Sequence, residues 1–470
     1  MRFLALELGL AGLALLVFCL GLALPPGRRQ PLGGIVAAGL LGLLGLSVFV
    51  ETGGLLFGGA FVMDDLARLF KQLFLLATLL GALGSLALPE AAFRRRAPEY
   101  YLLILASLLG MMVLASARDL VLLFVAFELM SIPLYVLAGF LKREDVAVEA
   151  ALKFFLVGSV SAAVLAYGLS FVYGMSGTTE LAGVVRALEG GGHPLLLLGL
   201  LLVLAGIGFK IAAVPFHMWV PDTYEAASTP YVAWLSVAPK AAGFAVILRV
   251  YLEGVGEPAA FWVPFAGALA GITIVAGNLM ALPQTNVKRL LAYSGIAHIG
   301  YMLLGFAAVS HSGAAMILFY LVVYVFSNMG AFLVVEAVGR AEGSVGLEAF
   351  RGLAQRSPLL ALAMLIFLLS LGGIPFVAGF WAKLYIFWAA WEAGLYGLVL
   401  VGAVLTVVAL FYYLMVAKRM YIDPPRTAAP LPVPPSLAAT ILIGAIAVVL
   451  FGVYPRPLVD AALAVSAALF

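Results

Sequence analysis

The sequence predicts an all-α polytopic membrane protein. Of its 470 residues, 65% are hydrophobic and only 10% are charged, whereas soluble domains carry about 25% charged residues. Its apolar runs suit transmembrane helices of about 20 residues and are too long for the alternating strands of about ten residues that build membrane β-barrels. Two runs are interrupted by proline, which predicts helices that break inside the bilayer.

Fourteen apolar runs have the length of a membrane span. In chain order they cover residues 3–24, 33–50, 66–88, 100–117, 119–141, 147–173, 194–216, 230–252, 260–282, 288–309, 312–337, 358–390, 394–417 and 437–455. The second is rich in glycine, and the twelfth is unusually long because it contains a break. Since the loops between spans are short, any chemistry of the chain is expected within the bilayer.

The first run predicts a retained helix rather than a cleaved signal peptide, because it is too long and its basic residues, Arg28 and Arg29, follow it. Loops after odd-numbered spans carry 15 of the 26 Lys and Arg residues, and 7, including Lys71 and Arg249, are assigned to the other side. By the positive-inside rule the richer side is cytoplasmic. Both termini are therefore expected on the outer side of the membrane, away from the cytoplasm.

Four lysines remain inside predicted spans. A lysine near the bilayer centre costs about 2.5–3.5 kcal/mol on insertion scales, so it indicates a partner, a water-filled cavity or a function. Among the acids, Glu128 is expected to be the only carboxylate deep in a span, because Glu7 and Glu336 fall near span ends. The four lysines are Lys153, Lys210, Lys240 and Lys383.

The seventh and twelfth spans are predicted to be broken helices. The seventh reads GFKIAAVPFHMWVP, with Lys210 before Pro215, and the twelfth reads GGIPFVAGFWAK, with Lys383 after Pro375. Proline removes a backbone donor and frees a carbonyl one turn back, which lipid tolerates only where protein or water satisfies it. Paired interrupted helices in two halves of a chain are typical of transporters built from repeats.

Each charged group has a functional and a structural interpretation. Glu128 and Lys210 are a candidate proton-transfer pair, because a nearby carboxylate stabilises a charged lysine whereas an apolar surrounding destabilises it. The alternative is a static ion pair. For Lys383 the alternative is snorkelling to the outer interface. For Lys153 it is a surface pair with Glu149, four residues earlier on the same helix.

Lys240 and two histidines complete the candidate set. Lys240 follows a proline and precedes small residues that leave room for water. His298, close to Ser294 and Tyr301 in sequence, is a candidate neutral relay, with a satisfied core histidine as the alternative. His217 is expected to cap the broken seventh span.

Metal and cofactor signatures are absent from the sequence. His193 and His311 fall in short outer loops, no two histidines have metal-ligand spacing, and Cys19 is the single cysteine. The chain contains no GxxxxGK[ST], strand-flanked GxGxxG, HExxH or CxxCH pattern. No metal or cofactor is therefore predicted in this chain, and a gradient or a partner is expected to supply the energy.

Four segments closely resemble the antiporter-like subunit N of proton-pumping NADH-quinone oxidoreductase, respiratory complex I. They read FELMSIPLYVLAGFLKRE, EAALKFFLVGSVSAAVLAYGLSFVYG, GFKIAAVPFHMWVPDTYEAASTPYVAWLSVAPKAAGF and KRLLAYSGIAHIGYMLLG. The likeness covers nearly the whole chain. The loop PFHMWVPDTYEAASTP differs from the PDAHxEAPTP pattern of the sister subunits L and M, and no long lateral helix like that of subunit L is predicted, which favours N.

The resemblance implies one transmembrane domain with two inverted five-helix repeats, spans four to eight and nine to thirteen. The corresponding parts are N-terminal helices at 1–90, a first repeat at 100–252, a second repeat at 260–417 and a C-terminal helix at 437–470, together residues 1–470.

The resemblance also implies roles for individual residues. Glu128 and Lys210 would form the charged pair of a cytoplasmic-side half-channel, and Lys240 would be the central connecting lysine. His298 would continue the chain, and Lys383 would be the lysine toward the periplasmic side. The residues expected to support them are Lys153, Pro215, His217, Tyr301 and Pro375.

The resemblance implies a proton-translocating subunit driven by quinone reduction elsewhere in the complex. The expected partners are the antiporter-like subunits L and M, the small subunits K, J and A, and the lipid bilayer, with no nucleic acid. NADH, FMN, iron–sulfur clusters and quinone would be held by partner subunits. The alternatives are a subunit of a multi-subunit cation/proton antiporter or membrane-bound hydrogenase, and a passive scaffold whose charges only lock helices together.

Overall fold

The computed structural model of the chain describes residues 2–25, 29, 31–86, 88, 93, 95–140, 145–188, 193–254, 259–427 and 429–469. Most of these residues are helical, and the prediction of an all-α polytopic membrane protein is confirmed. Four basic residues behind the orientation prediction, Arg28, Arg94, Lys142 and Arg143, lie outside the described residues.

Within these ranges, thirteen helical segments are long and apolar enough to cross a membrane. They correspond to thirteen of the fourteen predicted spans. The remaining span, predicted at 358–390, is divided into the two helices Pro358–Gly372 and Ala378–Glu392. The seventh span also ends early, at Ile211, so both predicted breaks are present.

The chain forms two compact units. Unit 1 comprises Met1–Ala212, Ala238–Trp262 and Val465–Phe470, and unit 2 comprises Ala213–Val237 and Val263–Ala464. The α-helices of unit 1 are α1 (Ala5–Ala23), α2 (Leu32–Phe49), α3 (Asp65–Ser85), α4 (Ala97–Ser116), α5 (Leu120–Ala138), α6 (Asp145–Ser176), α7 (Leu181–Leu188), α8 (Pro194–Ile211) and α11 (Ala238–Ile247), which continues as a π-helix (Leu248–Gly254).

The remaining α-helices lie in unit 2, although α12 begins and α20 ends just inside unit 1. They are α9 (Trp219–Ala226), α10 (Thr229–Leu235), α12 (Ala259–Ala281), α13 (Val287–Ala307), α14 (His311–Glu342), α15 (Leu353–Arg356), α16 (Pro358–Gly372), α17 (Ala378–Glu392), α18 (Tyr396–Tyr421), α19 (Pro435–Val453) and α20 (Arg456–Ser466).

One short hairpin in unit 1 joins α2 to α3. Its strands β1 (Gly54–Leu56) and β2 (Phe61–Met63) are antiparallel, with Gly54 opposite Met63.

Small and hydroxyl residues bring the helices of unit 1 together. A Cβ added at Gly110 of α4 would collide with the backbone at Met130 of α5. The Ser107 hydroxyl donates to the Met130 carbonyl over 2.8 Å, and the Ser161 hydroxyl of α6 donates to the Gly206 carbonyl of α8 over 2.8 Å. Such close approach and interhelical hydrogen bonding replace the hydrophobic effect, which is absent between helices in lipid. They place α4 against α5 and α6 against α8.

The structure corrects the assignment of Lys71 and Arg249 to outer loops. Lys71 is fully buried in α3, and its ammonium lies 2.7 Å from the carboxylate of Glu7 in α1. The guanidinium of Arg249 is also buried, in the π-helix, and binds Asp64 through two bonds of 2.6 Å. In both cases an opposite charge on a neighbouring element offsets the cost of burial.

Asp64 is the centre of a charged cluster at the start of α3. Its side chain caps α3 by accepting from the Ala67 amide, and it binds Arg249, which also binds Glu253 over 2.6 Å. Arg118 contacts Glu253 as well. Although burial acts in the opposite direction, the pKa of Asp64 lies below its ordinary value of 3.8 because the Arg249 guanidinium donates to the carboxylate.

We expect Asp64→Asn to destabilise unit 1 by about 3–5 kcal/mol, since it leaves the buried charge of Arg249 poorly compensated. The matched control is Asp65→Asn, because the Asp65 side chain is about half exposed and pairs with Arg68 of its own helix, a type of pair that contributes about 0.2–1 kcal/mol. Thermal unfolding of the purified chain in lipid nanodiscs measures both losses at pH 7.

The pH dependence of this loss has a defined sign. A carboxylate whose pKa is depressed in the folded state stabilises the protein above its unfolded pKa, and this contribution disappears as the pH falls through the folded pKa. The difference between Asp64→Asn and the unaltered chain should therefore shrink below about pH 4. Equal destabilisation by both variants at pH 7 would contradict the assignment.

Candidate functional site

Lys210 and Glu128 are brought together in unit 1. Lys210 is buried in the last turn of α8, where the helix C-terminus favours a positive charge. Glu128 is half-buried at the middle of α5. The two charges interact electrostatically, but no ion pair within 4.0 Å joins them, although the structure describes both residues. The predicted pair is therefore close but separated in this conformation.

Lys240 lies in the first turn of α11, which packs against α3, α4 and α8. The side chain is 1% exposed. A helix N-terminus disfavours a positive charge, so α11 itself does not stabilise the ammonium. The burial expected for a central lysine is observed.

Lys153 does not belong with the buried lysines. Its side chain is 50% exposed on α6, and the ammonium lies 2.8 Å from the carboxylate of Glu149. This is the surface pair that the i, i+4 spacing allowed. The sequence counted Lys153 among the lysines inside spans and Lys71 with the outer side, whereas in the structure Lys71 is buried and Lys153 is exposed.

His298 is the centre of a hydroxyl network in unit 2. Its Nδ1 lies 2.7 Å from the Tyr320 hydroxyl, and its Nε2 lies 3.2 Å from the Tyr413 hydroxyl. Tyr413 in turn lies 2.5 Å from the Ser294 hydroxyl. Both ring nitrogens thus face groups that donate or accept a proton, as a neutral relay requires.

Tyr301 lies between His298 and Lys383. Its ring contacts the His298 ring at a centroid distance of 6.0 Å, and the Lys383 ammonium lies 4.9 Å from the Tyr301 ring centroid. The Tyr301 hydroxyl is hydrogen-bonded to Asn278 and Thr406 over 3.3 and 3.2 Å. Unit 2 therefore brings together the predicted residues His298, Tyr301 and Lys383.

Lys383 is held by the break between α16 and α17. Its ammonium donates to the Gly372 carbonyl over 3.3 Å, and Gly373 adopts a left-handed conformation that ends α16. Since Lys383 is 4% exposed, it does not snorkel to an interface. Ser370 bridges the break by accepting from the Gly379 amide over 3.1 Å. The Gly372 carbonyl at the break thus accepts a hydrogen bond from the lysine.

The second half of the broken seventh span belongs to unit 2. Ala212 caps the end of α8 and Met218 occupies the position before α9, so the prediction that His217 caps the broken seventh span is wrong. Pro215 is exposed in the break, and the Val214 amide donates to the Thr273 hydroxyl over 3.0 Å.

Charged residues that the sequence assigned to loops hold α9 in unit 2. The guanidinium of Arg289 lies 2.8 Å from Asp222 and 2.9 Å from Glu225, and Lys288 donates to the carbonyls of Glu225 and Ala227. These bonds hold the second half of the broken span in place, and the charged groups that make them lie outside the break.

Sequence reasoning missed five members of the unit 2 network. They carry no formal charge, so counting charged residues in spans could not single them out. Hydroxyl and amide side chains at helix positions facing the network would have been the signal. The five residues are Asn278, Tyr320, Thr406, Tyr412 and Tyr413.

No group of three His, Cys, Asp or Glu side chains that could hold a metal ion occurs in the part of the chain that the structure describes. In unit 2, His298 lies instead among the hydroxyl groups of Tyr320, Tyr413 and Ser294, an arrangement that can pass protons along hydrogen bonds. The chemistry that fits these residues is therefore proton transfer.

Comparison with known proteins supports this interpretation. Residues 117–409 match the family described as NADH:quinone oxidoreductase/Mrp antiporter, TM. The NADH-quinone oxidoreductase subunit N of Moorella thermoacetica is 43% identical over 466 residues, which cover 98% of each chain.

Two solved structures share the fold over almost the whole length. A chain of respiratory complex I from Thermus thermophilus with bound aureothin is 36% identical, with a TM-score of 0.83, over 97% of this chain and 98% of that one. A chain of the Mrp complex from Dietzia sp. DQ12-45-1b is 25% identical, with a TM-score of 0.87, over 99% and 97%.

Proposed function

Because the chain belongs to the family of subunit N of NADH-quinone oxidoreductase, we propose that it moves protons across the membrane through its own buried ionisable residues. It is a multi-pass subunit of a proton-translocating oxidoreductase complex. The proton-carrying groups are Glu128, Lys210, Lys240, His298 and Lys383. Quinone reduction elsewhere in the complex supplies the energy.

One observation carries this proposal. Lys210 and Lys383 are buried, and no carboxylate lies within 4.0 Å of either ammonium among the residues that the structure describes. Two other buried cations of unit 1, Lys71 and Arg249, are each in direct contact with a carboxylate. A buried group without a direct counter-charge readily changes its protonation state, whereas a paired one keeps its charge.

The surroundings of each lysine suit a group that gains and loses a proton. In unit 2, the Gly372 carbonyl accepts from charged or neutral Lys383, so the side chain keeps its position in both states. From Lys383, the side-chain contacts run through Tyr301 and His298 to the hydroxyl of Tyr413. In unit 1, approach of Glu128 to Lys210 favours the charged lysine, and separation weakens this preference. A shift of one pKa unit corresponds to about 1.4 kcal/mol.

Further parts of the proposal concern the rest of the complex. The proposed partners are the antiporter-like subunits L and M and the small subunits K, J and A. NADH, FMN, iron–sulfur clusters and quinone are bound by partner subunits, and this chain holds no redox centre. The membrane is a bacterial-type inner membrane with both termini on the periplasmic side, and spans four to eight and nine to thirteen form two inverted repeats in a single transmembrane domain.

A second candidate is a subunit of a cation/proton antiporter or of a membrane-bound hydrogenase. The likeness to the Mrp complex chain is the observation that supports the antiporter. The identity to that chain is 25%, against 36% to the complex I chain and 43% to a subunit N. Co-purification separates the candidates, because subunits with flavin and iron–sulfur clusters that reduce quinone are expected only for the oxidoreductase.

We expect Glu128→Gln in the assembled complex to reduce quinone-coupled proton pumping about tenfold or more, since the amide cannot exchange a proton with Lys210. The matched control is Glu149→Gln, which removes a surface carboxylate of α6. Proton uptake by proteoliposomes during NADH oxidation measures both variants. Full pumping by the Glu128 variant would exclude this residue as a proton carrier.

A further inference from the structure

Four aromatic rings surround the ammonium of Lys210. Their centroids lie 5.1 Å (Phe127), 5.5 Å (Tyr135), 6.0 Å (Phe154) and 5.7 Å (Phe209) from Nζ. These are within the distance at which a ring face attracts a cation through its quadrupole. The four rings come from three helices, α5, α6 and α8, and are named here the aromatic cage.

The aromatic cage is a closed and ordered assembly. Phe127, Phe154 and Phe209 are fully buried, and Tyr135 is 7% exposed. Within the cage, the Tyr135 and Phe154 rings meet edge to face at 4.8 Å, and the Phe154 and Phe209 rings lie 6.0 Å apart. Interlocked rings of this kind change position little when the central side chain changes its charge.

The Lys210 ammonium makes no hydrogen bond to any residue that the structure describes. Its stabilisation in this conformation therefore comes from the rings, from the C-terminus of α8 and from the more distant Glu128. A desolvated cation–π contact is stronger than an exposed one, because no water competes for the cation. The cage is thus the element that can hold a proton on Lys210 while Glu128 is not in contact.

We propose that the aromatic cage is a proton-holding pocket for Lys210, and that Phe127, Tyr135, Phe154 and Phe209 are positioning residues of proton transfer. The inference rests on the proposed function, since it concerns the same lysine. The cage stabilises the charged lysine between its contacts with Glu128. It separates the step in which Lys210 takes up a proton from the step in which the proton leaves.

Other titratable groups lie on the helices around Lys210. Glu128 and Tyr135 lie on α5 beside the cage, and Lys240 lies on α11. Four titratable side chains of α6 whose burial the structure describes are at its surface. They are Glu149, Lys153, Tyr167 and Tyr173.

Stepwise ring fluorination tests the proposal in the assembled complex. One, two or three fluorine atoms at Phe127 or Phe154, introduced as fluorinated phenylalanines, weaken the negative potential of the ring face with little change in its shape. The readout is quinone-coupled proton pumping in proteoliposomes as a function of pH. The alkaline limb of the profile should move to lower pH in even steps, by about one pH unit in total.

One control makes the result specific. Phe155 is exposed next to Phe154 on α6 and lies outside the cage, so its fluorination should leave the profile unchanged. Tyr135→Leu removes one ring of the cage and should shift the profile in the same direction as fluorination. A profile that does not move with fluorine number at Phe127 and Phe154 overturns the cage. If Lys210→Met loses pumping but fluorination leaves the pH profile unmoved, the cage is overturned and the proposed function stands. Full pumping by Lys210→Met overturns the proposed function.

Discussion

Replacing Lys210 by methionine is expected to reduce quinone-coupled proton pumping by the assembled complex at least about tenfold. Methionine has a similar length and no charge, so the apolar surroundings accept it without the cost of burying a cation. The variant therefore removes the proton carrier and preserves the packing of α8 against α6 and α11. The initial rate of internal acidification of proteoliposomes after addition of NADH measures the effect.

The matched control for this prediction is Lys153→Met. Lys153 carries the same side chain in the same unit but is half exposed and paired with Glu149. We expect this variant to pump at the rate of the unaltered complex. Equal loss of pumping in both variants would indicate a general effect of charge on assembly, and equal retention would remove Lys210 from the proton path.

The second large effect is expected for Lys383→Met, with a similar loss of about tenfold or more. Lys383 is the cation between the broken helix and the hydroxyl network, bonded to the Gly372 carbonyl and facing the Tyr301 ring. Without its amine, no described side chain at this position can take a proton from the direction of His298. Pumping in proteoliposomes is again the measurement.

Lys418→Met is the matched control for Lys383. Lys418 lies in unit 2 in the last turn of α18, and it is exposed. Its replacement should leave pumping unchanged. If Lys383→Met complexes pump normally while remaining fully assembled, Lys383 has only a structural role at the break, and the proposed path through unit 2 fails.

Hydropathy predicted the spans closely because helices in lipid must be long and apolar. Every predicted span has a helical counterpart, and the breaks at Pro215 and Pro375 are present because proline cannot continue the hydrogen-bond ladder. The burial of Lys210, Lys240 and Lys383 was likewise predictable, since each occurs several residues inside an apolar run.

Hydropathy does not determine which way a residue faces around the helix. Lys71 lies only six residues into α3 and was assigned to the outer side, yet it faces Glu7 of α1. Lys153 lies at a similar depth in its predicted span and faces outward. The difference depends on which neighbouring helix carries the counter-charge, and that information is not local in sequence.

The aromatic cage was unpredictable for a related reason. Phe127 and Phe154 are ordinary members of apolar runs, and nothing in their spacing distinguishes a cage wall from core packing. Their role depends on the meeting of α5, α6 and α8 at Lys210. The hydroxyl network around His298 is similar, because Tyr413 is more than a hundred residues away in sequence.

The central claim is that protons pass through this chain's own residues rather than only through its partners. The most direct test is the number of protons moved per electron by the Lys210→Met complex, with NADH oxidation and proton movement recorded on the same proteoliposomes. The account predicts a lower ratio than for the unaltered and Lys153→Met complexes at equal assembly. An unchanged ratio, even with reduced thermal stability, would show that Lys210 only locks helices together and would contradict the account.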